Sequence, residues 1–507
     1  MIFSYILYLK IISKRVLVIF IILLVSSCVS KTGNKNTSPK TKDSPNVVFI
    51  AVDDLRPELG CYGNTIIKSP NIDNLASEGL VFTNHYVQVP TCGASRYSLM
   101  TGLRPKKTSH LLNNAFESEM GHKSDTIQPE SFVHQFKKNG YYTVGIGKMS
   151  HSADGLVYGY EETPSTIKEM PNSWNEFLFN SGKWKTGWNA FFAYANGENR
   201  QSLKRQVKPY ESGDVEDEGY PDGLTAELAI SKLKELKNKN QPFFLGVGFF
   251  KPHLPFNAPK KYWNLYDRND IPLAPNPFIP ENVNKKSLQK SGEFNGYQLT
   301  DEKAGLSKPL SDAYSKKLTH AYYAAVSYVD AQIGKVISEI KALGLDENTI
   351  VVIWGDHGWH LGNDLVWGKH TLFDVALRSA LIIKVPGKLS QEKKVNAIVE
   401  SVDIYPTLME LCGISANYPL DGQSLVNTIS NPDSLQNNVA YSYFNNGISM
   451  RANQFRLTKY WRTEEPTLEL YDHDKDPWET KNIAKENPEI VKSLLPLLAK
   501  GNTGLYN

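Results

Sequence analysis

The chain has 507 residues, with 56 basic and 53 acidic side chains and a formal net charge of +3, so its charge gives no reason to expect a nucleic-acid partner. Apolar residues make up 41% and aromatics 11%, the makeup of a globular chain long enough for a large core and a smaller second unit. The expectation is an enzyme-sized fold of one or two domains.

In chain order, Lys10, Lys14 and Arg15 come first, ahead of the apolar run "VLVIFIILLV", which ends at Ser26, Ser27 and Cys28. A positive flank, a short apolar core and small residues at a cleavage point are the parts of an export signal. A cysteine directly after the small residues resembles a bacterial lipobox. It implies that residues 1–28 are a lipoprotein signal peptide, with Cys28 the lipidated first residue of the mature protein. A plain signal peptide or a single membrane anchor is the alternative, because "MIFSYILYLKII" lengthens the apolar stretch. Either way the body of the protein is expected outside the cytoplasm, and the lipobox reading ties it by lipid to the bacterial cell envelope. Residues 29–45 are polar and read as a disordered tether. With Cys28 assigned to lipid, Cys61, Cys92 and Cys412 remain. An odd number argues against a disulfide framework, so at least one thiol needs another purpose.

"NVVFIAV" is a continuous apolar run rich in β-branched residues, as in a strand buried on both faces, and it stops at Asp53 and Asp54. The design returns in "YYTVGIG" before Lys148 and His151, "FFLGVGFF" before His253, "TIVVIWG" before Asp356 and His357, and "ALIIKV" before Pro386. Helical patterns lie between them: one closing at Gly140, one through Leu228, Leu233 and Leu236, and a long one from Ala313 to Leu343. Alternating strands and helices predict an α/β domain over residues 46–430, with a large, mostly parallel sheet flanked by helices. After about Asn431 short alternating strands predict a small antiparallel subdomain over residues 431–507. The stretches from Gly159 to Gly223 and from Asn269 to Pro309 have no clean periodicity and read as walls of a substrate cleft.

In open α/β sheets, ligands bind outside the carboxyl ends of the strands. Asp53, Asp54, Lys148, His151, His253, Asp356 and His357 all sit at or just past such ends and are expected to meet in one cleft. Three carboxylates and one imidazole, from Asp53, Asp54, Asp356 and His357, form a hard donor set that favours Ca²⁺ or Mg²⁺ over zinc, although "DD" after a strand is also a common turn or cap. Cys92 heads "CGASRYSLMTG", where Ser95 is placed to cap a helix and Arg96 falls in its first turn. A helix start beside an arginine suits a tetrahedral oxyanion, whereas a lone cysteine is by itself more often a small buried apolar residue.

"CGASRYSLMTG" resembles the type I sulfatase signature, in which the cysteine is oxidised to formylglycine. "NVVFIAVDDLRPELGCYG", "GIGKMSH", "GFFKPHLPF", "VIWGDHGWHLG", "WGKHTLFD" and "LYDHDKDPWETKNIA" are similar to the same family in the expected order, and most similar to its iduronate-2-sulfatase branch. The resemblance implies an alkaline-phosphatase-like sulfatase fold, with Asp53, Asp54, Asp356 and His357 holding Ca²⁺ and the formylglycine from Cys92 as a further ligand. It places Arg96, Lys148, His151, His253 and Lys369 around the sulfate, and it implies a formylglycine-generating maturation enzyme as a partner. Ala94 stands where many members have proline, which bears on which system modifies Cys92.

In the implied mechanism one hydroxyl of the hydrated aldehyde attacks sulfur while Arg96, Lys148 and Lys369 stabilise the sulfuryl oxygens. His253 protonates the departing sugar oxygen, and His151 takes the proton whose loss restores the aldehyde. Trp359, His360 and His370 lie close to these motifs as candidate sugar contacts, core packing of Trp359 being the alternative. Lys106, Lys107 and His110 either attract an anionic glycan or form a solvated loop. The expected substrate is a sulfated polysaccharide or oligosaccharide, with sulfate at the 2-position of a uronic acid as one option; such a carboxylate needs a positive partner, and the C-terminal segment "YSYFNNGISMR" supplies only Arg451. A phosphomonoesterase or phosphodiesterase of the alkaline-phosphatase superfamily is the alternative enzyme, but such proteins usually have Ser or Thr as nucleophile. A silent glycan-binding relative would be expected to have lost some of these residues.

Overall fold

The computed structural model describes residues 44–157, 165–387, 393–432 and 439–506. The expected signal peptide, Cys28 and nearly all of the tether lie outside the described residues. Among the described residues no helix is long and apolar enough to cross a membrane.

Eight strands form the central sheet: β1 (Asn46–Val52), β2 (Leu80–Tyr86), β3 (Tyr142–Gly147), β4 (Glu176–Leu178), β5 (Phe243–Phe249), β6 (Thr349–Gly355), β7 (Leu381–Lys384) and β8 (Lys393–Glu400). They lie in the order β8-β2-β7-β6-β1-β5-β3-β4. The central strands are apolar along their length because helices cover both faces. In β1, Val48, Ile50 and Val52 enter one apolar layer, and Val47, Phe49 and Ala51 enter the other. The helices Pro221–Lys237 and Asp312–Ala342 fill the first layer, and Cys92–Thr101, Phe132–Lys138 and Ile404–Leu411 fill the second. Cys61 is buried in the first layer and Cys412 in the second. The helix before Gly140 starts where the Ser131 side chain accepts the His134 N–H, and it ends beside Gly140 at φ 84°.

The expectation of a mostly parallel sheet holds, with one correction. β7, read as another strand of the same design, runs antiparallel to both β6 and β2. The segment between β6 and β7 stays at the carboxyl end of β6, where it carries the site residues, so the chain re-enters the sheet in the opposite sense. Strands β2, β4 and β8 were not expected, because β2 and β8 are interrupted by polar residues and β4 is only three residues long, so none gives a continuous apolar run.

Four consecutive strands form the C-terminal antiparallel sheet: β9 (Val439–Phe444), β10 (Gly447–Ala452), β11 (Phe455–Tyr460) and β12 (Thr467–Asp472). One face packs on the helix Pro488–Lys500, through residues such as Ile448, Met450, Leu494 and Leu498. The sheet is fastened to the main body by Tyr443 N–H donating to the Gln88 carbonyl at 2.7 Å and by a fully buried Arg456. Arg456 pairs with Glu479 and donates to the Leu372 carbonyl, while its guanidinium lies between the rings of Phe373 and Tyr471 at 5.1 and 4.7 Å. Glu479 also accepts the Asp374 N–H at 2.9 Å, so the pair anchors the loop that follows Lys369.

Glu479→Gln leaves Arg456 buried without its counter-charge and is expected to cost about 3–5 kcal/mol, read as a lower urea midpoint at unchanged slope. Burial disfavours the Glu479 charge, but Arg456 and then His473 outweigh it and hold the carboxyl well below its usual range. A depressed carboxylate contributes stability that is present above its unfolded-state pKa and lost as pH falls toward its folded one. The gap between wild type and variant is therefore expected to narrow as pH drops below 4.5.

Candidate active site

β6, β1, β5 and β3 are consecutive in the sheet and parallel, so their carboxyl ends form one continuous edge. Asp53 and Asp54 leave β1, Lys148 leaves β3, and Asp356 and His357 leave β6, all fully buried; His253 follows β5 and is 4% exposed. Asp54 adopts φ 59°, a conformation Asp tolerates better than most residues. Its N–H donates to Asp356 Oδ1 at 3.0 Å and its carbonyl accepts from the Tyr322 hydroxyl at 2.7 Å, which ties the first strand end to the third and to the long helix.

Cys92 is the first residue of its helix, with Thr91 as N-cap. The expected cap at Ser95 is thus corrected: Ser95 lies inside the helix, and its hydroxyl donates to the Asp356 carbonyl at 2.5 Å, while Arg96 falls in the second turn. Gly93 is required because the Asn113 backbone passes so close that an added Cβ would lie 2.2 Å from its carbonyl oxygen. The Cys92 Sγ is 3.3 Å from His357 Nε2 and 3.2 Å from Lys369 Nζ. Burial, reinforced by the Asp53 charge, pushes the thiol up, so at neutral pH the cysteine itself is not a thiolate.

Three cations surround it. Arg96 Nε binds Asp356 Oδ2 at 2.9 Å, its guanidinium also donates to the Lys148 carbonyl, and its other terminal nitrogen has no hydrogen-bond partner among the described residues. Lys148 pairs with Asp53. Lys369 lies 3.0 Å from Asp54 Oδ1 and 3.6 Å from Glu293 Oε2. Burial opposes the Lys369 charge, yet Asp54, Cys92 and Glu293 raise it well above the usual ammonium range.

A cleft of about 230 Å³ opens on Cys92, His151, His253, Lys369 and His370. Burial, with Lys148 next, holds His151 well below the usual imidazole range, so it is neutral, and its Nδ1 has no hydrogen-bond partner among the described residues. His253 Nδ1 faces the Leu254 carbonyl at 2.5 Å and Nε2 faces Glu293 at 3.0 Å. Its ring packs against Phe191, with centroids 4.7 Å apart. The two long aperiodic segments do supply walls: Trp188, Phe191, Phe192 and Arg200 come from one and Glu293 from the other. Sequence reasoning located these segments but not Glu293 or Arg200, since neither sits at a strand end or in a motif.

Three expectations are corrected. Trp359 and His360 are fully buried and present no face to a sugar. Trp359 packs edge-on to Phe256 and under Lys369, whose Nζ is 5.2 Å from the ring, and His360 bonds the Thr371 hydroxyl at 2.7 Å. Arg451 binds the Tyr86 hydroxyl at 3.1 Å and nearby main-chain carbonyls, so it is no partner for a substrate carboxylate. His370, by contrast, lines the cleft and stacks on Phe444 at 5.6 Å. Outside the cleft lining, Lys107 pairs with Glu119 at 3.1 Å and Lys106 with Asp421 at 3.4 Å.

The donor set suits a hard divalent cation. Asp53, Cys92, Asp356 and His357 offer ligand atoms within 4.8 Å of one another. Asp53 Oδ1 and Asp54 Oδ2 are buried without a hydrogen-bond partner among the described residues. Burial disfavours the Asp53 charge, but Lys148 leads the cations that hold it well below the usual range, whereas burial and the Asp53 charge push Asp54 up to about 7 despite Lys369. A divalent cation among these oxygens would satisfy the orphaned atoms and keep both carboxylates ionised.

Residues 45–414 match the family described as Sulfatase, and residues 355–501 match the family described as N-sulphoglucosamine sulphohydrolase, C-terminal. The chain is 32% identical to the iduronate 2-sulfatase of Mus musculus over 433 residues, covering 78% of this chain and 73% of that one. A structure solved in complex with its substrate D-glucosamine-2-N,6-O-disulfate superposes with a TM-score of 0.66 at 21% identity, covering 90% of this chain and 97% of the other. The phosphonate monoester hydrolase of Agrobacterium radiobacter superposes with a TM-score of 0.68 at 20% identity, covering 90% and 96%.

Proposed function

The chain belongs to the sulfatase family and is a sulfuric ester hydrolase, and on that premise we propose that it desulfates acidic glycans through a formylglycine made from Cys92 beside a bound Ca²⁺. The observation that carries this reading is a single buried cysteine at a helix start, in contact with Lys369 and His357, at the floor of a cleft that also holds His151 and His253. The relatives favour a sugar substrate, and the iduronate 2-sulfatase likeness favours a 2-O-sulfated uronic acid.

Asp53, Asp54, Asp356 and His357 would hold the cation, which when bound acidifies a neighbouring hydroxyl and offsets sulfate charge. An aldehyde hydrate in place of the thiol supplies two hydroxyls, one to displace the ester oxygen and one whose deprotonation lets sulfate depart. Arg96, Lys148 and Lys369 bind the sulfuryl oxygens from fixed positions, so little reorganisation is needed as charge develops. His253 lines the cleft, with Nδ1 facing the Leu254 carbonyl and Nε2 facing Glu293, and it protonates the departing sugar oxygen. His151, neutral, takes the proton that regenerates the site.

His253→Ala is expected to lower kcat on a sugar sulfate by about 10²–10⁴-fold, and far less on 4-nitrophenyl sulfate, whose leaving group needs no proton. Equal losses on both substrates would remove His253 as the acid. If protein whose Cys92 carries the aldehyde releases no sulfate from any aryl or sugar sulfate, the whole reading fails.

Two stretches of sequence support further parts of the proposal: Lys10 to Cys28 supports export and lipid anchoring through Cys28 in a bacterial envelope, and "CGASR" at Cys92 supports maturation by a formylglycine-generating enzyme.

A further inference from the structure

Each catalytic cation already has a carboxylate partner. Arg96 is paired with Asp356, Lys148 with Asp53, and Lys369 with Asp54 and Glu293. Glu293, the carboxylate of the cleft wall, is engaged by His253 and Lys369. Arg200 and Arg205 line the same cleft as Cys92 and His253, and neither has an ion-pair partner among the described residues.

Their placement is built rather than incidental. The Arg200 guanidinium carbon lies 3.4 Å from the centroid of Phe192 and 5.4 Å from that of Tyr297. Phe192 in turn packs against His253, with ring centroids 6.2 Å apart, so the arginine shares an aromatic wall with the proposed acid. Arg200 Nε is buried and has no hydrogen-bond partner among the described residues. The Arg205 N–H donates to the Arg200 carbonyl at 2.8 Å, and its own carbonyl accepts the Gln298 N–H at 2.9 Å, which ties the loop carrying both arginines to the opposite cleft segment. Stacking on a ring fixes a guanidinium plane and leaves its edge of N–H donors for a planar or tetrahedral anion. A buried donor without a partner costs free energy that an incoming anion would recover.

We propose that Arg200 and Arg205 form a subsite for a second anionic group of the substrate, a carboxylate or a further sulfate, beside the one that is hydrolysed. The subsite rests on the sulfatase reading and deepens it, since it makes the substrate a multiply charged sugar. It also replaces Arg451, which the fold has committed to Tyr86.

The test uses the mature protein with Arg200→Gln and, because Arg200 also packs on Phe192, with the exposed Arg205→Gln as a second variant. Four probes suffice: a 2-O-sulfated uronate glycoside, its carboxyl-reduced counterpart, and a neutral sugar as its disulfate and its monosulfate. kcat/KM on the multiply charged probes is expected to fall about ten- to a hundredfold, mainly through KM, and by at least about tenfold more than on the singly charged ones. Loss of preference for the uronate over its reduced form identifies a carboxylate as the bound group; loss of preference for the disulfate identifies a second sulfate. If neither variant shows a fall, or if all four probes fall equally, the subsite is overturned. If the wild type releases sulfate from none of them, it is the sulfatase reading that has failed.

Discussion

Cys92→Ala is expected to eliminate sulfate release, with kcat down on the order of 10⁴-fold or more, as for loss of a covalent nucleophile. The fold should tolerate the change. Cys92 is 2% exposed and contributes one sulfur atom between His357 and Lys369, so its removal costs on the order of 1 kcal/mol, while the helix start is set by backbone geometry and by Gly93 against Asn113. The companion measurement is the mass of the wild-type tryptic peptide that ends at Arg96. A peptide lighter by the difference between a thiol-bearing methylene and a formyl group assigns the nucleophile. An unmodified thiol in fully active protein would instead overturn the formylglycine mechanism and bring a phosphohydrolase-type reading forward.

Arg96→Gln should show the second largest effect, and it acts on two properties at once. Arg96 and Asp356 are both fully buried and paired at 2.9 Å, so removing the cation leaves a buried carboxylate uncompensated and is expected to cost about 3–5 kcal/mol of stability. The free terminal nitrogen of Arg96 is the donor available to a sulfuryl oxygen, and its loss is expected to lower kcat a further 10²–10³-fold, roughly the effect of deleting one oxyanion-hole donor. The double variant Arg96→Gln with Asp356→Asn isolates the stability contribution, which should recover in large part once both charges are gone. Because Asp356 is also a proposed cation ligand, the catalytic contribution is read on Arg96→Lys, which keeps a cation against Asp356 but loses the second donor. An unchanged kcat in Arg96→Lys would make Arg96 a structural residue only.

Much of this was legible in the sequence because buried parallel strands write themselves as unbroken apolar runs. "NVVFIAV", "YYTVGIG", "FFLGVGFF" and "TIVVIWG" each end at a charged or imidazole side chain, and the fold sets these four strands side by side. Strands β2 and β8 were illegible for the complementary reason: they are the last two strands at one edge of the sheet, where Thr83, Asn84, Lys393 and Lys394 are left partly or fully exposed and break the apolar pattern. The helix at Cys92 was located, but its first residue was not, since Ser95 has the chemistry of a cap and only the approach of Asp356 shows that its hydroxyl is used elsewhere.

The sequence by itself determined the fold class, the family, and the set of residues that come together, because each depends on local pattern and on side-chain identity at strand ends. The tertiary structure alone decided which side chains face the cleft. Trp359 and His360, next to the right motif, are turned into the core, while Glu293, Phe192 and Arg200, in stretches without periodicity, reach the wall around His253. Periodicity reports which face of an element is covered, but an aperiodic loop has no face to report, and its contacts are fixed only by packing against distant chain.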